Sequence, residues 1–276
     1  MRATTNFKNR RGSAAGFTLI EMLVVATVLV VLMGVVFSYV GKMQRTYKAE
    51  ETKVDATEET RTFFDGLARE LHQAGYPSKN MYAPGLLLAT SNNDSRVAVG
   101  LVKVSASDLW FEGDIDGDGV VESIRYTLFD NAGNTISNAS VCPCTLKRSQ
   151  IVKANNTAPT AQATNYTSEL DRVINSGGLG AGGGALTITG NTDSLAGASL
   201  SQDTLYSAYK TPQLFTAFDS SGTVVALPVD LTSNAIAVTS IRSITVNVNL
   251  LAETVDTQTN TQAALSMRQT VRIATY

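Results

Sequence analysis

The apolar and polar positions divide the chain into three stretches with different periods. From Met22 to Val40 no residue is charged, and Thr27 and Ser38 are the only small polar side chains. An uncharged run of about 18 or more residues is long enough to span a bilayer as a helix, the one form in which a single segment satisfies its own backbone there. From Gly41 to Ala74 there is no proline, and charged residues alternate with apolar ones. Met43, Tyr47, Val54, Phe63, Leu67 and Leu71 fall largely at spacings of four and seven, which predicts an amphipathic continuation of the same helix. Phe63, Phe64, Leu67 and Leu71 form its apolar face, with Glu50, Glu51, Asp55, Glu58 and Glu59 on the exposed side. Ala74-Gly75-Tyr76-Pro77 stops it, glycine serving as the cap and proline lying just beyond. The predicted helix is Phe17–Ala74.

After residue 77 the period changes to two. Strands are predicted at Leu86–Ala89, Val97–Val104, Asp108–Glu112 and Val120–Phe129. Further strands are predicted at Gln213–Phe218, Thr223–Leu227, Ile241–Leu251 and Leu265–Thr275, with turns at 131–134 and 219–222. Alternation at Trp110, Phe111, Ile124, Tyr126 and Leu128 fits antiparallel strands with one buried face. Trp110 reads as core rather than as a ligand platform. Residues 154–203, rich in Asn and Gly, lose periodicity and read as a flexible insertion, with a short helix at Glu169–Ile174. The glycines at 177–184 are no phosphate loop, because no G-K-[ST] follows. The fold class is α+β: a long N-terminal helix packed on an antiparallel sheet.

Charge gives the anchor a direction. Arg2, Lys8, Arg10 and Arg11 precede the apolar run, and residues 1–16 contain no acid. Positive flanks stay cytoplasmic, so the bulk of the chain lies outside. The run is too long for a secretory signal, and no A-x-A follows it. The 276 residues carry 22 basic and 24 acidic side chains; without residues 1–16 the basic count falls to 18, leaving a mildly acidic chain with no footprint for nucleic acid. His72 is the sole histidine, placed near the helix end, and no nucleophile motif accompanies it, so no enzyme is expected. Glu21 breaks the apolar run, and a carboxylate at membrane depth is costly and commonly functional.

Gly16-Phe17-Thr18-Leu19-Ile20-Glu21, after a basic leader and before the apolar helix, resembles the class III signal of type IV prepilins and type II secretion pseudopilins. The resemblance implies cleavage between Gly16 and Phe17 by a prepilin peptidase and N-methylation of Phe17. It also implies a helix held in the inner membrane until the subunit enters a filament. There Glu21 neutralises the terminal amine of a neighbouring subunit, and the low dielectric makes that pairing strong. The expected segments are a leader (1–16), an assembly helix (17–40), its amphipathic continuation (41–76) and a pilin-like extracytoplasmic β-rich head (77–276). The absence of proline from the apolar half favours a minor pilin or a pseudopilin. The Leu214–Gly222 run and the terminal strand look similar to PilW-type minor pilins, less closely to J-type pseudopilins. The implied role is priming or capping a type IV pilus, with partners in other pilins and minor pilins, the peptidase, the inner-membrane assembly platform and the membrane. The alternatives are a type II secretion pseudopilin or a membrane-anchored, calcium-dependent adhesin.

Two further motifs carry chemistry. Asp114, Asp116 and Asp118 at alternate positions, followed by Gly119 and Glu122, resemble a calcium loop set between strands, with the Val120 carbonyl as a further ligand. The bland alternative is an acidic hairpin turn without metal. Cys142-Pro143-Cys144 holds the only two cysteines. A disulfide is the default outside the cytoplasm; reduced thiols and a metal pair are the alternatives.

Overall fold

The computed structural model describes residues 16–83, 85–136, 142–175, 206–256 and 261–274. The leader and most of the glycine-rich insertion lie outside the described residues. The chain divides into two compact units, 1–47 and 48–276. Helix α1 (Leu19–Gln73) contributes to both. In the first unit its large apolar residues are all exposed, from Leu19 at 83% to Val40 at 41%. An 18-residue window of α1 has a mean hydropathy of 2.8 and nothing buried, which by length and composition suits a bilayer.

The second unit is α+β. Its elements after α1 are β1 (Gly100–Val104), β2 (Asp108–Gly113), β3 (Glu122–Phe129), β4 (Cys144–Val152) and β5 (Tyr166–Val173). They continue with α2 (Ser207–Lys210), β6 (Phe215–Phe218), β7 (Val229–Asp230), α3 (Ala235–Ser240), β8 (Ser243–Asp256) and β9 (Thr261–Arg272). The strands form one antiparallel sheet in the order β6-β8-β5-β4-β3-β2-β1-β7, with β9 paired to β8. Phe63, Phe64, Leu67 and Leu71 of α1 are buried in one core with Phe111, Ile124, Tyr126, Leu128 and Leu146. Phe63 meets Tyr126 edge-on, with ring centroids 5.8 Å apart.

Charge also lies in this interface. Glu70 is 6% exposed, on the same helix face as Leu67 and Leu71. Its carboxylate accepts from the Tyr126 hydroxyl at 2.7 Å and from Arg148 Nη2 at 2.7 Å. Burial beside that carboxylate drives the Tyr126 hydroxyl far above its ordinary range. The opposite face of the sheet is polar but closed. Asp108 receives Arg125, Lys103 and the Thr127 hydroxyl, and the Arg125 guanidinium lies 4.8 Å from the Trp110 ring centre. Burial raises the Asp108 pKa, but the two cations outweigh it and hold the group below its ordinary 3.8. A carboxylate depressed in the folded state adds stability above its unfolded pKa and loses it as pH falls through the folded value. Asp108→Asn is therefore expected to flatten the acid limb of a stability–pH curve below pH 3.8. At neutral pH it should cost about 3 kcal/mol, because two cations lose their counter-charge; urea titrations at pH 7 and pH 3 check both.

Several elements differ from the sequence reading. Leu86–Ala89 is not a strand, because side chains pin that loop: Asp94 accepts the Leu88 N–H, and Arg96 Nη2 donates to the Leu86 carbonyl. β1 starts at Gly100 rather than Val97, and Thr223–Leu227 reduces to a single bridge between Phe218 and Val224. Val54 and Tyr47 are exposed, so the buried face of α1 begins at Thr60. Residues 169–174 lie in and just after strand β5 rather than in a helix. Leu170, Val173 and Ile174 sit at the i, i+3, i+4 spacing of a helix face. Here a bulge supplies that phase: Arg172 takes φ 62° and the register with β4 shifts between Cys144 and Leu146, so all three side chains are buried.

Candidate functional site

Two groups of residues carry candidate chemistry, one in each unit. In the first, Thr18 stands immediately before α1 and Glu21 lies in its first turn. Glu21 Oε2 accepts the Thr18 N–H at 2.9 Å and the Thr18 hydroxyl at 3.0 Å, and the Glu21 N–H donates to Thr18 Oγ1 at 3.3 Å. This is a reciprocal capping box, which satisfies N–H groups that a helix start in lipid leaves without water. The S/T-x-x-E spacing at 18–21 is its sequence signature. Glu21 thus has a use within its own chain, on one oxygen. Gly16 and Phe17 precede the helix and are exposed, so the Gly16–Phe17 bond lies in non-helical backbone.

The second group lies in the turn between β2 and β3. Gly113 approaches the end of α1 so closely that a Cβ there would stand 2.7 Å from the Gln73 carbonyl oxygen. The Asp114 N–H donates to the Tyr76 carbonyl at 2.8 Å, and the Gly75 N–H to Glu112 at 2.8 Å. The loop is therefore tied to the helix stop. Asp114 is buried and accepts the Gly117 and Gly119 N–H groups, one on each oxygen. Gly117 and Gly119 take φ 79° and 86°, which let the chain curl round that carboxylate. Asp116 and Asp118 accept from the N–H two residues on, and Glu122 Oε2 accepts the Ile115 N–H. Ligand oxygens of Asp114, Asp116 and Glu122 lie within 4.8 Å of one another. Asp118 falls outside that group, and Val120 is partly exposed. Burial, followed by repulsion from Asp116, Asp118 and Asp114, pushes the Glu122 carboxyl upward, against the Ile115 N–H. A hard divalent cation taking oxygen ligands suits such a set.

Two predicted residue groups have other settings. Cys142 and Cys144 are joined by a disulfide across Pro143, buried in the core beside β4 and β5. His72 is exposed on α1. A buried ion pair went unread in the sequence. Lys153, with no exposed surface, donates to Glu112 Oε2 at 2.6 Å and to the carbonyls of Asn92 and Val97 at 2.7 Å each. Burial pushes the Glu112 carboxyl up against the pull of that ammonium. The pair ties the loop at 92–97 to β2 and to the end of β4.

Residues 11–37 match the family model for the prokaryotic N-terminal methylation motif. No curated protein and no solved structure matches the chain. The motif supports a type IV prepilin-like protein, a structural substrate of a prepilin peptidase that meets the pilus machinery in general.

Proposed function

We propose that the chain is a minor pilin of the PilW kind, cleaved after Gly16, N-methylated at Phe17, and used to prime or cap a type IV pilus. The methylation motif across 11–37 supports this reading: its range includes Gly16, Phe17 and Glu21, and an exposed apolar helix begins within it at Leu19. The helix anchors the subunit in the inner membrane before assembly, and the sheet unit is the part it presents outside. Mass spectrometry of the mature chain tests the processing: a methylated Phe17 terminus is expected, and an intact Met1 would overturn it. Deletion of the gene then separates the two filament systems. Lost piliation with normal protein secretion supports the pilus, and the reverse result moves the chain to a type II secretion pseudopilus.

Within the same reading, the β2–β3 turn holds a structural calcium ion through the three converging carboxylates Asp114, Asp116 and Glu122, with the Val120 carbonyl as a further ligand. The ion would offset the mutual repulsion of these carboxylates and so stiffen the loop at the helix stop. Binding of the folded state alone adds about 2.7 kcal/mol at a hundredfold excess over Kd. Melting curves in calcium and in chelator should therefore differ by several degrees for the wild type and coincide for Asp116→Ala. Coincident wild-type curves dismiss the ion.

A further inference from the structure

Among the described residues, strand β9 pairs only with β8, and its other edge carries no further strand. It is paired to β8 from Ser243↔Arg272 through Leu251↔Ala264 and on to Asp256↔Thr261. Just past its end, the Ile273 N–H donates to the Arg242 carbonyl at 2.9 Å. That bond sets the odd-numbered residues of β9 as those whose backbone groups face β8, since the two directions alternate along a strand. The backbone N–H and C=O groups of Ala264, Ser266, Arg268 and Thr270 therefore point outward.

The chain covers other exposed backbone of this region with side chains. At Gln262, the first even position, the Tyr206 hydroxyl donates to the carbonyl at 2.7 Å and accepts the N–H at 3.1 Å. Arg172 donates to the carbonyls of Leu251 and Ala252 at 3.0 and 3.1 Å. Among the described residues nothing of this kind reaches Ser266, Arg268 or Thr270. The stretch from Ala264 to Arg272 also contains no proline and no lysine, two of the usual devices that blunt an edge.

We infer that this edge receives an added strand from a partner protein, an extended segment in which acidic and apolar residues alternate. The backbone groups supply the hydrogen bonds, and the two faces of β9 supply the selectivity. Ser266, Arg268, Thr270 and Arg272 are exposed on one face, with the two guanidinium groups four residues apart, roughly 13 Å along a strand. Carboxylates at the same spacing match them. On the other face Leu265 and Met267 are half-buried against the core, and apolar side chains of the added strand extend that cover. A second copy of β9 would instead bring four guanidinium groups to one edge, and like charges across strands destabilise.

The test uses the full chain in detergent, ten-residue peptides as probes, and hydrogen exchange read by mass spectrometry. A peptide of alternating Val and Glu at millimolar concentration should slow exchange across 261–272 at least tenfold, and one of alternating Val and Lys should not. Ser266→Pro removes an outward N–H without touching the bonds to β8, and should abolish the slowing. Arg268→Glu combined with Arg272→Glu should reverse the preference between the peptides, and it decides the matter if the proline variant fails to fold. Absence of slowing, equal slowing by both peptides, or slowing confined to other segments overturns the inference. So does slowing that grows with protein concentration alone, which assigns the edge to a second copy.

Discussion

Glu21→Gln is expected to insert into the membrane as the wild type does and to be missing from filaments. The substitution separates the helix cap, which Glu21 forms with Thr18, from the charge pairing proposed for it in the filament. Glu21 caps its own helix through Thr18, and a glutamine in a capping box does the same work without charge. Pairing with the amine of a neighbouring subunit, in contrast, needs the negative charge. In low dielectric such a pair attracts strongly, and either charge alone is expensive. Glu21→Gln should therefore fail in assembly as fully as Glu21→Ala. Thr18→Ala, which loses about 1 kcal/mol of cap and keeps the charge, should still assemble. Sheared filaments probed for the subunit, beside membrane fractions, give both readings. Glu21→Gln in normal filaments with Glu21→Ala absent would assign the residue to capping alone.

The largest effect on stability is expected at Lys153. Lys153→Met removes an ammonium that has no exposed surface and serves three acceptors. It leaves the buried Glu112 carboxylate with only the Val99 N–H, and Glu112 Oε1 has no partner even with the lysine present. Breaking such a pair from one side costs about 3–5 kcal/mol. In a unit of this size that lowers the melting temperature by on the order of 10 °C. Replacing both groups, as in Glu112→Leu with Lys153→Met, removes the uncompensated charge and should recover part of the loss. Circular dichroism melts of the wild type, Lys153→Met and the double variant check the order. Equal melting of Lys153→Met and the wild type would show that water reaches the site.

Much of the fold was legible because period and punctuation agreed. The apolar run, the four-residue spacing of Phe63, Leu67 and Leu71, and the Gly75 stop place α1 within two residues at its start and one at its end. The alternation in β2, β3 and β8 is equally direct. The failures have physical causes. The β5 bulge gave a strand the spacing of a helix face. Loop 86–89 is shaped by Asp94 and Arg96, whose bonds to it lie six and ten residues away. The acidic loop was legible as a constellation, since Asp114, Asp116 and Glu122 converge, but spacing alone did not separate Asp118 from them. Buried charges were the least legible. Glu70 sits at a position that the apolar period assigns to the core, and that clash was the readable sign of an ion pair. Lys153 offered no such sign, because it follows a strand end.

Glu70 also solves a degeneracy that the apolar contacts leave. Phe63, Leu67 and Leu71 recur every four residues, so α1 could slide by one turn and still offer grease to the sheet. Such a slide would bring Gly66 or Ala74 to the place of Glu70. Neither carries a carboxylate, and Arg148 and the Tyr126 hydroxyl would face nothing charged. The apolar residues make the helix stick, and one glutamate tells it where to stop, like the tooth that keys a rack to its pinion.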